Sequence, residues 1–545
     1  MTSAARYVHT LRHLRPVQVF GRLWYRARRP RPDLRPAPAL RPQRAPYAEP
    51  LAPGPTLLAP DTVRLLNLER RCATPADWHP PGVSQLWIYH LHYFDDLNAQ
   101  DSAARHSWHS AWLERWVREN PPGVGDAWQA YPLSRRMVNW IKWTLRGNEL
   151  PGTCRESLAV QARWLRARIE RHILGNHLLA NATALVHAGL YFAGAEARTW
   201  YDVGLKILTQ ELREQLLSDG GHFELSPMYH ALVLGDLLDL VNVSRAYDAA
   251  VPAAWPAACT QMQTWLDAMT HPDGEIAFFN DATFAVAARA AQTAAYAGRL
   301  GLASAPRHPE ELTVLDASGY VRVHAGPALL LCDCAAVGPD YLPAHAHADT
   351  LSFELSLYGE RVLVNSGVSQ YGNDGERLRQ RGTAAHNTVM LDGQDSSEVW
   401  GGFRTARRAR VHERSSSATP PPLSVQAAHD GYRRLPGRNV HQRRWLLDER
   451  SLCIEDRISG PFRSARAFFH LHPQVAVRAG REGELHLSVP RSPVPLRMSF
   501  EGAAAVEVRR GTWHPGFGVT LANHCIVADF AGPQLITRLE WAHGR

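Results

Sequence analysis

The sequence lacks most of the features that identify a function at sight. Its seven cysteines are few, odd in number and contain no Cys-x-x-Cys pair. That excludes a disulfide framework, a zinc knuckle and a thioredoxin-like centre, and it leans towards a reducing compartment. No apolar run approaches the ~20 residues that a membrane-spanning helix needs. The N-terminus has charge but no uninterrupted apolar stretch of the secretory kind. The cytoplasm is therefore the default expectation, with the periplasm or export left open. Nucleophile elbow, Walker loop and dinucleotide fingerprint are all missing. No pair of carboxylates stands out either, unlike a usual glycosidase, which needs two carboxyls across one bond.

Lysine is missing from residues 1–46, yet that stretch holds eleven arginines against one acid, Asp33. The whole chain carries +8; subtracting the +10 of this stretch leaves −2 for the rest. The basic character thus describes an arm and not the body. Such an arm suits an acidic polymer, a membrane surface or the protein's own acidic face, or it is a solvated segment clipped down by its tyrosines, Trp24 and leucines. The spacing of Leu11, Leu14, Val17, Val19, Phe20, Leu23 and Trp24 predicts one or two amphipathic helices within 1–29. The proline-rich run that follows cannot be regular helix.

With 545 residues, 45% apolar and 21% charged, the chain is globular and too long for one ordinary core. From about 104 to 305 the apolar spacing is helical, with segments expected near 107–119, 134–146, 155–174, 178–193, 201–217, 230–247, 256–270 and 284–300. Asn120 before Pro121 stops the first of them. Ser134 is a candidate cap for the second, and Ser226-Pro227 starts the sixth. Serial antiparallel pairs suggest a layered α/α barrel, although no sequence repeat supports a solenoid. Beyond about 312, alternating strands such as Tyr320–His324, Leu329–Cys332, Leu351–Leu357 and Arg361–Val364 predict a β-sandwich. The expected organisation is an arm at 1–50, a helical domain at 51–311 and an antiparallel β-sandwich at 312–545, with a site where the last two meet.

Four polar clusters carry the chemistry. They are Gly175-Asn176-His177 with Asn181; Asp219-Gly-Gly-His222-Phe-Glu224 leading to Tyr229; His345-Ala-His347-Ala-Asp349; and Arg377 to Arg381 running on to His386-Asn387. In an extended segment, side chains at alternate positions share a face, so His345, His347 and Asp349 are expected to converge on one pocket. Each cluster alone also reads as a helix cap, a turn, a wet strand face or a basic loop. Together they supply Asn, His, Tyr and Arg without a carboxylate pair. That set suits β-elimination in a uronate polysaccharide. Removing the proton α to the carboxylate builds up enolate-like charge, which Asn, His and Arg can stabilise. A Tyr or His removes the C5 proton and another group protonates the leaving oxygen. For tyrosine to act as the base, nearby cationic groups must lower a pKa that is ordinarily about 10.

In this order and on this architecture, the clusters resemble the heparinase II/III-like superfamily of polysaccharide lyases, whose members include heparan sulfate and alginate lyases. The resemblance is densest over Gly175–Asn181, Asp219–Tyr229 and His345–Trp400. It implies an incomplete (α/α) toroid followed by an antiparallel β-sandwich, with an acidic polysaccharide bound between them. By that resemblance Asn176 neutralises the substrate carboxylate beside His177, Tyr229 is the catalytic tyrosine, and His345 is the base or assists it. His347 and His386 match histidines that hold a structural zinc in several relatives. The third ligand there is an aspartate, where this chain has Asn365, a weaker and neutral donor. Tyr371 resembles a second active-site tyrosine, and Arg381, His222 and Glu224 are expected at the substrate. Asp349 is expected to be a structural partner. Two other readings stay open: a non-catalytic acidic-polysaccharide-binding protein of an exopolysaccharide pathway, and a metal-assisted hydrolase.

Overall fold

The computed structural model describes residues 3–302, 310–419, 421–480 and 483–541. Two short helices come first, α1 (Ser3–Leu11) and α2 (Pro16–Ala27), as the spacing predicts. An irregular run then leads to a small sheet, Leu57–Ala59, Thr62–Leu65 and Leu68–Arg71, for which the sequence gave no clear signal. The helical layer follows: α3 (Gln85–Leu91), α4 (His106–Glu119), α5 (Ala130–Leu145), α6 (Gly152–Ala167), α7 (Gly175–Tyr191), α8 (Gly194–Gln215), α9 (Pro227–Ala246), α10 (Ala254–Ala268) and α11 (Ala290–Arg299).

Three local expectations change. Ser134 does not cap α5, which already begins at Ala130; its hydroxyl donates back to the Ala130 carbonyl at 2.7 Å. The helix expected to reach 174 ends at Ala167, and the one expected from 284 starts at Ala290. In both cases an irregular stretch takes the place of the missing turns, and the first of them carries Glu170, which meets His177.

Helix α7 is the axis of the helical half. Every residue from Leu178 to Tyr191 is buried, the pattern of a helix surrounded on all sides, and α5, α6, α8 and α9 pack around it. Its N-terminus is the end that reaches the cleft. Ser226 caps α9 by accepting the Tyr229 N–H at 3.2 Å, with Pro227 at the first helical position. That combination fixes where α9 starts, and hence where Tyr229 stands.

The second half is antiparallel. A five-stranded sheet runs in chain order through Leu312–Leu315, Tyr320–Ala325, Ala328–Asp333, Phe353–Leu357 and Glu360–Leu363. An eight-stranded sheet and a four-stranded sheet complete it. The pattern of toroid followed by sandwich is therefore the fold. The 303–309 stretch, where the halves were expected to divide, lies outside the described residues.

The halves are joined by residues 271–281, which follow α10. His271 Nε2 meets Glu354 at 2.9 Å and Arg361 Nε meets Asp273 at 2.6 Å, both largely buried. Val364, Val368, Trp513 and Phe517 of the β half join the helical core. Buried ion pairs of this kind fix relative position more than they stabilise. No helix among the described residues is long and apolar enough to cross a membrane.

Candidate active site

Asn176 and Tyr229 each sit in the first turn of a helix, α7 and α9, whose N-termini both lie beside His345, one through Glu224 and the other ring against ring. Such ends carry unsatisfied N–H groups and partial positive charge, so they favour an anion. Here the resident anion is Glu224. Its carboxylate accepts the Asn176 backbone N–H at 3.1 Å and the Asn176 side-chain amide at 3.0 and 3.1 Å. Gly175 makes this approach possible. Its φ is +56°, and a Cβ there would lie 2.5 Å from Glu224 Oε1 and 2.4 Å from a Leu342 methyl. Leu174 and Leu225, next to these residues, also have positive φ, 68° and 58°. Such strain costs about 1–3 kcal/mol per residue and tends to gather at functional sites.

The His345–Asp349 segment is not a strand. It is a loop tied down by Ala348 N–H to the Arg381 carbonyl, by His347 N–H to Asn280 Oδ1 and by Ser352 N–H to the Asp349 carbonyl. Alternation therefore does not align its three side chains. Two of them converge instead on a residue that the sequence did not flag, Asp281. His345 Nδ1 lies 2.9 Å from Asp281 Oδ2, and His347 Nε2 lies 2.8 Å from Asp281 Oδ1. Arg377 closes a bidentate pair on the same carboxylate. Burial opposes the ionisation of Asp281, but Arg377 and the hydrogen bonds from both histidines overcome it and hold its carboxyl well below the usual range. An ionised Asp281 accepts from both rings. His345 therefore carries a proton on Nδ1, with Nε2 3.7 Å from Glu224 Oε2, and His347 carries one on Nε2.

The His345 ring stacks on Tyr229 with centroids 3.9 Å apart, and Tyr229 Oη lies 3.1 Å from Tyr371 Oη. The pairing of Tyr371 with the site is thus borne by geometry. Arg377 lies over the Tyr371 ring at 4.8 Å, and Phe403, 44% exposed, stands edge-on to both Tyr371 and His345. An exposed ring at the mouth of a cleft is a stacking surface for a sugar face. His177 borders the other side, with Nδ1 3.2 Å from Glu170 and its ring 4.3 Å from that of Tyr131. The expected lowering of the Tyr229 pKa is not found. Burial, then the neighbouring Tyr371 and Asp281, push it well above 10. Tyr229 therefore holds its proton at neutral pH.

Three expected substrate contacts move. Glu224 is in the cleft, but as the partner of Asn176. His222 is fully buried, with Nε2 at 2.9 Å from Gln215 Oε1 and its pKa pushed down to about 4 by burial. Arg381 is also fully buried, and its guanidinium is spent on the carbonyls of Ala346, Gly401 and Arg404 and on the Thr405 hydroxyl. It is the brace that holds the His345 loop. The arginine that meets Asp281 and the Tyr371 ring is Arg377, four residues earlier.

The donors implied for a metal are testable against the same geometry. His347 Nδ1 and His386 Nε2 are 3.3 Å apart, the separation that two imidazoles take around a tetrahedral zinc with bonds of about 2.0–2.1 Å. Burial keeps both rings neutral, with pKa values near 4 and 3, as ligands must be. A carboxylate oxygen of Asp349 lies within 4.8 Å of both nitrogens. Asn365 fits less well. Its oxygen accepts the Asn387 N–H at 3.1 Å, and its Nδ2, which cannot ligate a cation, has no partner. The residues that fit are His347, His386 and Asp349, the last of which the sequence reading had set aside as structural.

A toroid is followed by an antiparallel sandwich, and Asn176, Tyr229 and His345 gather where the two meet. The chain belongs to the heparinase II/III-like family. The model of the heparinase II/III N-terminus matches residues 85–298, and the model of the heparinase II/III-like C-terminal region matches 307–542. Among curated proteins it is 27% identical over 349 residues to FtsZ-localized protein C of Caulobacter vibrioides, covering 58% of each chain. It is 26% identical over 247 residues to a heparin-sulfate lyase of Bacteroides stercoris, covering 41% of this chain and 37% of that one. The chain thus spans less than two thirds of the length of these relatives. Among solved structures, heparinase III superposes with a TM-score of 0.71 at 19% identity, over 86% of this chain and 79% of that one, a likeness of fold.

Sequence reasoning missed Asp281, Glu170 and Phe403, and within the fourth cluster it chose Arg381 where the structure turns Arg377 to Asp281. Only Asp281 had a usable signal: Phe278-Phe-Asn-Asp281 places two polar residues directly after a buried aromatic pair, between two helices.

Proposed function

We propose that the protein is a lyase that cleaves a uronate-containing acidic polysaccharide, a glycosaminoglycan or alginate, by β-elimination. The observation that carries this reading is His345, held through Nδ1 by Asp281, with Nε2 3.7 Å from Glu224 and its ring packed against a protonated Tyr229. The uronate carboxylate would take the place of Glu224 on the Asn176 amide at the α7 N-terminus, with His177 beside it. His345 Nε2 takes the C5 proton, and the electrons of that bond form the C4–C5 double bond as the C4–O bond breaks. Tyr229 gives its proton to the departing oxygen, with Tyr371 holding its hydroxyl. A zinc held by His347, His386 and Asp349 would supply structural cross-linking in this site. His347 would carry that rigidity to His345 through Asp281.

The direct test is digestion of hyaluronate, chondroitin, heparan sulfate and alginate without added cofactor, followed by ultraviolet absorbance of the unsaturated product. Tyr229→Phe is expected to abolish the rise while leaving the fold unchanged; an active variant would show the acid–base assignment to be wrong. A saturated product would point instead to a hydrolase.

A second reading has one specific support: a relative whose name, FtsZ-localized protein C, describes a location and not a reaction. On that reading the cleft binds an acidic polysaccharide without cutting it, and Glu224 remains on Asn176. Retention on an acidic-glycan column with no product after long incubation would favour it.

A further inference from the structure

The arm presents its surface in an inverted way. With 3.6 residues per turn, Gln18, Gly21 and Tyr25 of α2 share one side, and that side meets the body. Gln18 is buried and donates to the Tyr341 carbonyl at 3.0 Å. The space at Gly21 is closed by His172 Cβ, 3.0 Å from where a Cβ would stand, and Tyr25 packs on the His172 ring at 4.4 Å. The opposite side carries Val19, Phe20, Leu23 and Trp24, and it faces outward. Phe20 is 69% exposed, Leu23 60% and Trp24 65%, while Val8 and Leu11 on α1 are 63% and 56% exposed. Eight of the sixteen exposed large apolar side chains among the described residues lie between Tyr7 and Trp24. A helix that docks through a polar and small-residue side and leaves its apolar side in water has no folding reason to be built so.

The edges of that apolar side are basic. On the wheel, Arg22 and Arg26 lie along one edge and Arg28 along the other. Arg22, Arg26 and Arg29 make no ion pair among the described residues. Outward aromatic and aliphatic groups between rows of arginine are the pattern of a helix lying in a lipid–water interface. Its cations meet anionic headgroups there, and its apolar side chains enter the acyl boundary. An acidic polysaccharide would use the arginines but would leave Val19 and Leu23 without a role. The protein's own surface is already occupied by the other side of α2.

We infer that residues 3–27 form an amphipathic docking surface for an anionic lipid bilayer, holding the protein on a membrane face through Phe20, Leu23 and Trp24 with Arg22 and Arg26. This inference does not depend on the cleft's chemistry, so it stands or falls separately from the lyase reading.

Flotation of the full chain with vesicles of phosphatidylglycerol and phosphatidylcholine tests it. The protein is expected to rise with vesicles rich in phosphatidylglycerol and to stay behind with phosphatidylcholine alone. Phe20→Ser/Leu23→Ser/Trp24→Ser is expected to lower the floated fraction at least tenfold, with an unchanged melting midpoint because all three groups are solvent-exposed. Arg22→Glu/Arg26→Glu should weaken binding and reduce its salt dependence. Failure of the parent chain to float at low salt overturns the inference, as does flotation of the triple serine variant at the parent's level. So does a self-association, seen by sedimentation velocity, that the serine variant abolishes without any vesicle binding. Loss of heparin-column retention in the arginine variant, with no vesicle binding by the parent chain, would assign the surface to a glycan instead.

Discussion

The Asp281 carboxylate lies 2.9 Å from His345 Nδ1, and its other oxygen lies 2.8 Å from His347 Nε2. One buried acid therefore sets the tautomer of two histidines with separate tasks. The relation follows the logic of the serine-protease acid, which orients its histidine without taking the proton. Asp281→Asn is expected to lower kcat by about 10²- to 10⁴-fold with little change in KM. The variant leaves Arg377 without its partner, so its melting midpoint should be measured alongside. Full activity in a folded variant would remove Asp281 from the mechanism.

The metal donors give a sharper contrast. If His347, His386 and Asp349 hold zinc, elemental analysis of purified protein should find about one equivalent per chain. His386→Ala and Asp349→Ala should lose it, whereas Asn365→Ala should retain it. Chelation should lower the melting midpoint, since an ion present at 100 times its Kd stabilises by about 2.7 kcal/mol. Retention of metal by Asp349→Ala and its loss in Asn365→Ala would restore the amide as ligand.

Gly175 is held at φ +56° against Glu224 and Leu342. Gly175→Ala is expected to displace the Glu224 carboxylate and turn the Asn176 amide, costing about 1–3 kcal/mol of stability. Activity should fall far more than the melting midpoint suggests. Chemical denaturation and the ultraviolet assay together check this.

The β half supplies a pH prediction. Asp456 is buried between Arg443, at 2.8 and 2.9 Å, and His441, at 2.7 Å. Burial works against its ionisation, but Arg443 and the His441 bond bring its pKa down to about 2. A depressed carboxyl stabilises the folded chain above its unfolded pKa, near 3.9, and loses that contribution as pH falls through about 2. Denaturation curves should therefore weaken by about 2–3 kcal/mol from this group between roughly pH 5 and pH 1. Asp456→Asn should remove that part of the slope and, by stranding Arg443, cost about 3–5 kcal/mol at neutral pH.

The sequence by itself determined the two-part architecture and offered most of the candidate side chains. Apolar spacing marks α4 to α11 because a helix packed in a layer must repeat its buried side chains at fixed intervals. Alternation marks the strands for the same reason, and Ser226-Pro227 locates the start of α9 through purely local chemistry. Asn176, His177, Tyr229, His345 and Tyr371 were all legible as candidates, from three separate stretches of the chain. Tertiary structure alone decided how they are wired. Asp281 lies 64 residues before His345 in the chain, and no local pattern can record a partnership that exists only after two domains close on each other. The same closure spends Arg381 on backbone carbonyls, turns His222 inward and brings Asp349 within 4.8 Å of the two histidines. Which polar group faces substrate is settled by what else is buried beside it. That is a property of the packed interface, and not of any one stretch of chain.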